Sequence, residues 1–516
     1  MQNTGNRAWY AAFKAKDTRF DGRVFIGVSS TGIYCRPVCR AKLPKEENCS
    51  FYETAAAAER AGYRPCLVCR PEIAPGCVSG YVPGHESGYE PGYKPGYKSG
   101  SARVDASGIL ARKAARLIEE QCGTGLGLED FAARLGCSAR HLRRAFTAEL
   151  AVTPVQYLQT CRLLLAKNLL TDTPLSVTDV ALAAGFGSLR RFNDLFRKQY
   201  RLSPTALRKQ TCGVKGEGGG ITVSLGYRPP FRWRQILDFL AGRAISGVET
   251  VTDGCYMRTV RYVAAEGDPS PVYGWIQVGH NPDANALSVT VSSDLLPALP
   301  HVLARVRNVF DLSCDPDAVY ETLAVMNAMK PGLCEVGTRL PGCFEPFEMA
   351  ARAVLGQQIT VKAAHTLAGR LAQAYGTPVA AGVDGLTHTF PSASDIAVLG
   401  SDAASIAEKL GPLGVTRARA NTIFILAQKI ARGEIDLTHC VRPEAEIKKL
   451  LAIPGIGPWT AQYIAMRAMG WPDAFPHTDY GVKKALAPLS EKEIVKTAEA
   501  WRPWRSYATI NLWNSL

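Results

Sequence analysis

From Leu450 to Ala461 the chain runs through an apolar approach, a Pro454-Gly455-Ile456-Gly457 turn, and then Pro458, Trp459 and Thr460. Two glycines flanking one apolar residue let the backbone turn sharply between two helices. The second helix is left with free N–H groups at its start, where a phosphate can sit. Asp479 follows within Phe475-Pro476-His477-Thr478-Asp479-Tyr480, and beyond it come the aromatic residues Trp501, Trp504, Tyr507 and Trp513. A phosphate grip, a carboxylate and several flat aromatic faces together suit work on a base drawn out of a nucleic acid.

Length and charge narrow the setting. With 516 residues the chain exceeds what one hydrophobic core holds, roughly 250 to 300 residues, so several domains are expected. The formal net charge is +14, and residues 1–210 carry 31 Lys and Arg against 18 Asp and Glu, whereas residues 211–516 carry 29 against 28. A basic front half points to a polyanion, double-stranded DNA first. No run of eighteen apolar residues is present, which excludes a membrane-spanning helix. Met1–Arg7 lacks the apolar core of a signal peptide, so a cytoplasmic protein is expected.

Fifteen cysteines cannot all pair with one another. Four of them, Cys35, Cys39, Cys66 and Cys69, have the spacing of tetrahedral zinc ligands, and on spacing alone a structural zinc knuckle over residues 1–73 is a sufficient account. Residues 74–105 are a repeat of Gly, Tyr, Pro and Lys with little to bury, and read as a linker. Residues 106–210 return to helical periodicity with two helix-turn-helix patterns, 128–146 and 177–192, whose second helices are capped by Ser138 and Ser188. Those helices present Arg140, Arg143, Arg144, Arg190 and Arg191, each open to base, phosphate or solvent. A Gly-rich break, 211–220, precedes a strand-rich segment, 221–307, that includes Cys255–Tyr262 and Ala286–Ser292. Residues 308–516 are helical almost throughout. The expected fold is therefore multidomain α+β: a small zinc-binding domain, an all-α double helix-turn-helix domain, an α+β subdomain and an all-α domain built on the Pro-Gly-x-Gly hairpin.

These segments resemble three known families. Thr31–Arg40, Asn48–Tyr52 and Gly62–Cys66 are similar to the zinc-binding domain of Ada-type adaptive-response proteins. Gly185-Phe186 and the run from Phe192 through Phe196 and Tyr200 to Pro204 resemble AraC-type DNA-binding domains. Leu225–Phe231, Ser246–Val251, Arg339–Cys343, Leu355–Gln358, the hairpin and Trp501–Ala508 resemble, in order and spacing, 3-methyladenine DNA glycosylase II of the helix-hairpin-helix superfamily.

The Ada resemblance implies one zinc ion held by Cys35, Cys39, Cys66 and Cys69, with Cys35 accepting a methyl group from a DNA phosphotriester. No Pro-Cys-His-Arg tetrapeptide is present, so the second alkyltransferase domain typical of those proteins is not expected. The AraC resemblance implies promoter binding with RNA polymerase as partner, and the chain is expected to act as a monomer. The glycosylase resemblance implies Asp479 as the catalytic carboxylate and Phe239, Trp459, Tyr463 and Trp513 lining a base cleft. It also implies a wedge at Gln357 and Gln358, and a backbone grip on DNA at Gly455, Ile456 and Gly457, with a monovalent cation bridging. Two departures matter. Gln358 replaces the family's leucine at the wedge, and Trp459 occupies the position where strand-nicking relatives carry a lysine. On spacing alone Asp479 is equally an N-cap for a helix beginning near Tyr480. The expectation is a monofunctional glycosylase for alkylated bases such as 3-methyladenine and 7-methylguanine, joined to a methyl sensor and regulator. The competing expectation is a methylation-responsive regulator whose glycosylase-like half only binds DNA.

Overall fold

The computed structural model describes residues 2–75, 106–210, 220–263, 271–440 and 442–516. Apart from their edges, the expected linkers over 74–105 and 211–220 lie outside the described residues. The chain forms two compact units, Met1–Pro229 with Asn281–Ala304, and Pro230–His280 with Arg305–Leu516. The strand-rich segment 221–307 contributes to both.

In the first unit a four-stranded sheet holds the cysteine cluster. Strands Cys49–Tyr52, Phe25–Val28 and Ile33–Cys35 pair antiparallel, and Arg64–Pro65 adds in parallel beside Ile33–Cys35. Strands of two to four residues carry too little alternation to be read from sequence. Helix Pro154–Asp172 runs through the helix-turn-helix region and buries residues on nearly every face, among them Tyr157, Leu164 and Leu170. Around it lie Ala106–Gln121, Ala139–Leu150 and Val177–Ala183. Strand Gly220–Gly226 pairs antiparallel with Ala286–Ser292, with Val223 opposite Val289.

The same helix carries the polar groups that fix the cysteine module. The Tyr34 and Thr160 hydroxyls donate to Glu59 at 3.1 and 2.8 Å, and Lys167 Nζ donates to Glu72 at 2.5 Å. Arg70 joins Glu72, Asn168 and Asp172 at 3.0, 2.8 and 2.7 Å. Buried charge costs free energy unless paired. Glu72 has that pairing: burial would raise its carboxyl, but Lys167 and Arg70 outweigh it and hold it below the ordinary value. Glu59 has hydroxyls and only a distant cation, and burial pushes its carboxyl up to about 8.

The second unit contains the antiparallel strands Glu249–Thr252, Cys255–Tyr262 and Val272–Asn281 and an extended helical array with one large apolar core. Helices Pro346–Leu355, Arg417–Ala431 and Pro458–Arg467 pack together at its centre. Trp501, Trp504 and Tyr507 are buried in that core.

Because Glu59 favours its proton in the folded state, its contribution to stability is full below the unfolded carboxyl value and is lost as pH rises toward 8. Glu59→Gln, whose hydroxyl partners can turn to accept from the amide, should flatten that decline. Urea unfolding of the full chain at pH 5, 6.5 and 8 reads the effect.

Candidate functional site

Helix Pro458–Arg467 begins at Gly457 and carries Trp459 and Tyr463 four residues apart, on one face. Their rings stack at 5.2 Å between centroids and 13° between planes. Helix Arg505–Asn514 brings Trp513 within 6.3 Å of Tyr463, and Trp513 lies nearly parallel to Phe239 of helix Trp233–Ala241, also at 6.3 Å. All four rings are half-buried; their contacts join them into one aromatic wall, of which Phe239 and Trp513 line an open cleft with Arg243.

Asp479 caps helix Tyr480–Ala485, its Oδ1 accepting from Val482 N–H at 3.1 Å. Oδ1 also accepts from the Trp513 indole N–H at 2.8 Å, and Oδ2 accepts from the Trp459 indole N–H at 2.8 Å. The cap and the cleft carboxylate are thus one group. A carboxylate has about four acceptor positions, and three are filled, leaving one on Oδ2. Gly481 permits this closeness: a Cβ there would stand 2.8 Å from the Trp513 ring.

The hairpin is built around Gly455, whose φ of +90° is left-handed and whose Cβ would fall 2.2 Å from Thr422 Oγ1. Gly457 faces open space. The Gln357 amide donates to Gly455 O at 2.8 Å and Thr460 Oγ1 at 2.9 Å, and Arg419 donates to the Gln357 carbonyl. Gln357 therefore ties its loop to the hairpin. Gln358 is exposed at φ +54°, at the apex of that loop.

The remaining motifs are supports. Arg505 binds Asp473 at 2.6 Å and Tyr507 donates to Asp311 at 2.8 Å, orienting the helix that carries Trp513. Pro341 and Gly342 offer carbonyls to buried Arg467. Arg467 and Arg243 belong to none of the motifs of the sequence. Arg243 lies 3.7 Å from the Phe239 ring centroid and Arg467 lies 4.7 Å from it, and Arg467 NH1 donates to the Tyr463 hydroxyl at 3.1 Å. Each arginine follows a cleft aromatic by four residues, Arg467 on the same helix as Tyr463 and Arg243 in the turn just past the helix of Phe239, and that spacing is the signal that could have revealed them.

In the first unit the sulfurs of Cys35, Cys39, Cys66 and Cys69 all lie within 4.8 Å of one another. Four thiolates at such separations fit a tetrahedral zinc ion at about 2.3 Å from each sulfur. Backbone N–H groups of Arg36 and Val68 point at Cys69 and Cys66 Sγ, at 3.3 and 3.4 Å, and soften the charge of a thiolate cluster. Contact with Cys39 and Cys66 pushes the Cys35 thiol up, the burden a bound cation relieves. Arg36 also pairs with Asp21, fixing the loop that carries Cys35 and Cys39. Ser138 and Ser188 cap helices Ala139–Leu150 and Leu189–Tyr200, and Arg140, Arg143, Arg144, Arg190 and Arg191 are exposed on them.

Four family models match in chain order: the metal binding domain of Ada over residues 8–72, a helix-turn-helix domain over 131–210, the AlkA N-terminal domain over 222–345, and the HhH-GPD superfamily of base excision DNA repair proteins over 351–500. Over 516 residues the chain is 36% identical to a probable bifunctional transcriptional activator/DNA repair enzyme AlkA of Mycobacterium tuberculosis, covering 98% of this chain and 96% of that one. The chain belongs to this bifunctional family. Its parts have separate relatives. DNA-3-methyladenine glycosylase 2 of Escherichia coli is 34% identical over 292 residues, 56% of this chain and 96% of that one. The bifunctional transcriptional activator/DNA repair enzyme Ada of Escherichia coli is 33% identical over 183 residues, 36% of this chain and 43% of that one.

Gly455→Ala should destabilise the second unit by about 1–3 kcal/mol, because it combines a left-handed backbone with a clash. Gly457→Ala, in open space, should cost less than about 1 kcal/mol. Denaturant midpoints of the two variants, followed by tryptophan fluorescence, make the comparison.

Proposed function

We propose that this chain excises alkylated bases from duplex DNA by hydrolysis of the N-glycosidic bond, and that its front half senses DNA methylation and regulates transcription. The observation that carries the first part is Asp479, fixed by three N–H donors with one acceptor position left beside a stacked aromatic wall. As the bond between sugar and base lengthens, positive charge gathers on the sugar. A carboxylate already in place stabilises it without reorganising. Water then adds to the anomeric carbon and yields an abasic site. Trp459 carries no amine, so no imine with the sugar can form and the strand stays intact.

Drawing the base out costs a few kcal/mol and is cheapest at damaged pairs. Gln358, at the exposed loop apex, would fill the gap and hydrogen-bond the orphaned partner. Backbone amides near Gly455, Ile456 and Gly457 would hold the adjacent phosphate. This reading is supported over a purely DNA-binding one by the Asp479 geometry, since phosphate gripping alone needs no carboxylate between two indoles.

In the front half zinc, when bound, keeps its four cysteines as thiolates at neutral pH. Cys35 Sγ would attack the methyl carbon of a methylphosphotriester. The S–C bond forms as the C–O bond breaks, and the phosphodiester anion departs. One negative charge is lost from the cluster, which lowers its repulsion from DNA. Arg140, Arg143, Arg144, Arg190 and Arg191 would then hold promoter DNA, with RNA polymerase as the partner recruited.

Release of free methyladenine and methylguanine from methylated duplex DNA tests the enzyme. Asp479→Asn should lower release about 10²-fold or more, and borohydride should trap no protein–DNA adduct with the native chain. Release unchanged in the variant would refute the role of Asp479. Separately, Cys35→Ala should abolish transfer of labelled methyl groups from methylated DNA to the protein while base release persists.

A further inference from the structure

Four arginines, Arg243, Arg258, Arg352 and Arg467, line one small cavity with only two carboxylates, Glu249 and Glu348. Arg258 and Arg352 pair with Glu249 and Glu348. Among the described residues no carboxylate pairs with Arg243 or Arg467, and both instead lie against the Phe239 ring. A cationic base gains little from a ring that already meets two guanidinium groups, since its attraction to the ring is offset by like-charge repulsion.

The Tyr463 hydroxyl is placed for a different task. Arg467 NH1 donates to it at 3.1 Å, and a guanidinium accepts nothing in return. The phenol proton therefore cannot point at Arg467 and must be offered elsewhere, while the ring stacks on Trp459 in the cleft wall. We propose that the Tyr463 hydroxyl donates a hydrogen bond to the departing base, with Arg467 as the positioning residue that directs its proton into the cleft. Burial by itself would raise the phenol, but the charges of Arg467, Arg243 and Arg352 bring it below its ordinary value, which strengthens it as a donor.

The step balances without another reactant. When the glycosidic bond breaks, its electron pair goes to the base. A base already cationic leaves neutral and needs no donor. An uncharged lesion leaves with developing negative charge on its acceptor edge; a hydrogen bond there lowers the barrier, and the proton released by the water that adds to the sugar neutralises the freed base. The donor thus matters selectively, for neutral leaving groups.

This inference rests on the excision reading, and one experiment separates their failures. Single-turnover release would be measured from duplexes carrying one 7-methylguanine, which is cationic, or one hypoxanthine, which is neutral. Tyr463→Phe keeps the ring and removes the hydroxyl. It should lower hypoxanthine release about tenfold or more beyond whatever it costs 7-methylguanine release, the span expected for loss of one hydrogen bond made in the transition state. Arg467→Lys, which retains a donor, should preserve the ratio between the two rates, and Arg467→Met should lose it. An equal fall on both substrates would make Tyr463 a packing residue, and unchanged rates would remove it from the chemistry; either overturns the proposal. If the native chain releases 7-methylguanine but not hypoxanthine, the donor role is likewise overturned and excision stands. If it releases neither, excision itself fails and this inference with it.

Discussion

The second unit depends on a carboxylate held between two indoles. Asp479 joins Trp459, at the start of the hairpin's second helix, to Trp513, on the last helix of the chain. Each element carrying these groups is fixed by its own anchors: Thr422 against Gly455, Asp473 under Arg505, and Asp311 under Tyr507. The side chain that caps a helix is thereby also the one that sets two walls of the cleft. An amide in its place must turn its NH2 toward a donor and lose at least one of the three bonds. The shape of the cleft and its negative charge cannot be altered separately at this residue.

The first unit solves a different problem, joining a small cysteine module to a helical DNA-binding fold. A module of some seventy residues has little core of its own. Helix Pro154–Asp172 lends it one, and the contact is polar as well as apolar: Thr160, Lys167, Asn168 and Asp172 all reach into the module. Tyr34, next to Cys35, ends in this network through Glu59. The cysteine cluster is therefore mechanically continuous with the helix around which both helix-turn-helix patterns are arranged.

What could be read in advance follows from the range of the physics involved. The four cysteines, the capping serines and the Pro-Gly-x-Gly hairpin are local patterns, and their geometry is fixed within a few residues. The strands at Cys255–Tyr262 and Ala286–Ser292 stood out through β-branched and aromatic residues. The short strands around the cysteines did not, because two to four residues hold too little pattern. Asp479 was legible as a cap and as a carboxylate, but its two indole partners lie 20 and 34 residues away, and no local rule connects them. Arg243 and Arg467 stood at helical spacing from Phe239 and Tyr463. The aromatic residues mark the cleft, whereas only their four-residue spacing to Arg243 and Arg467 marks the cations beside it.

The central claim is that Asp479 organises the cleft as well as supplying its charge. Of the eight tryptophans in the chain, only two should report its loss directly. Indole N–H resonances of the full chain, assigned with Trp459→Phe and Trp513→Phe, would be compared between the native protein and Asp479→Asn. The account predicts that at least one of the Trp459 and Trp513 signals moves as its hydrogen bond is lost, with the other six in place. Both signals unmoved would contradict it and reduce Asp479 to a charge whose neighbours are held by something else.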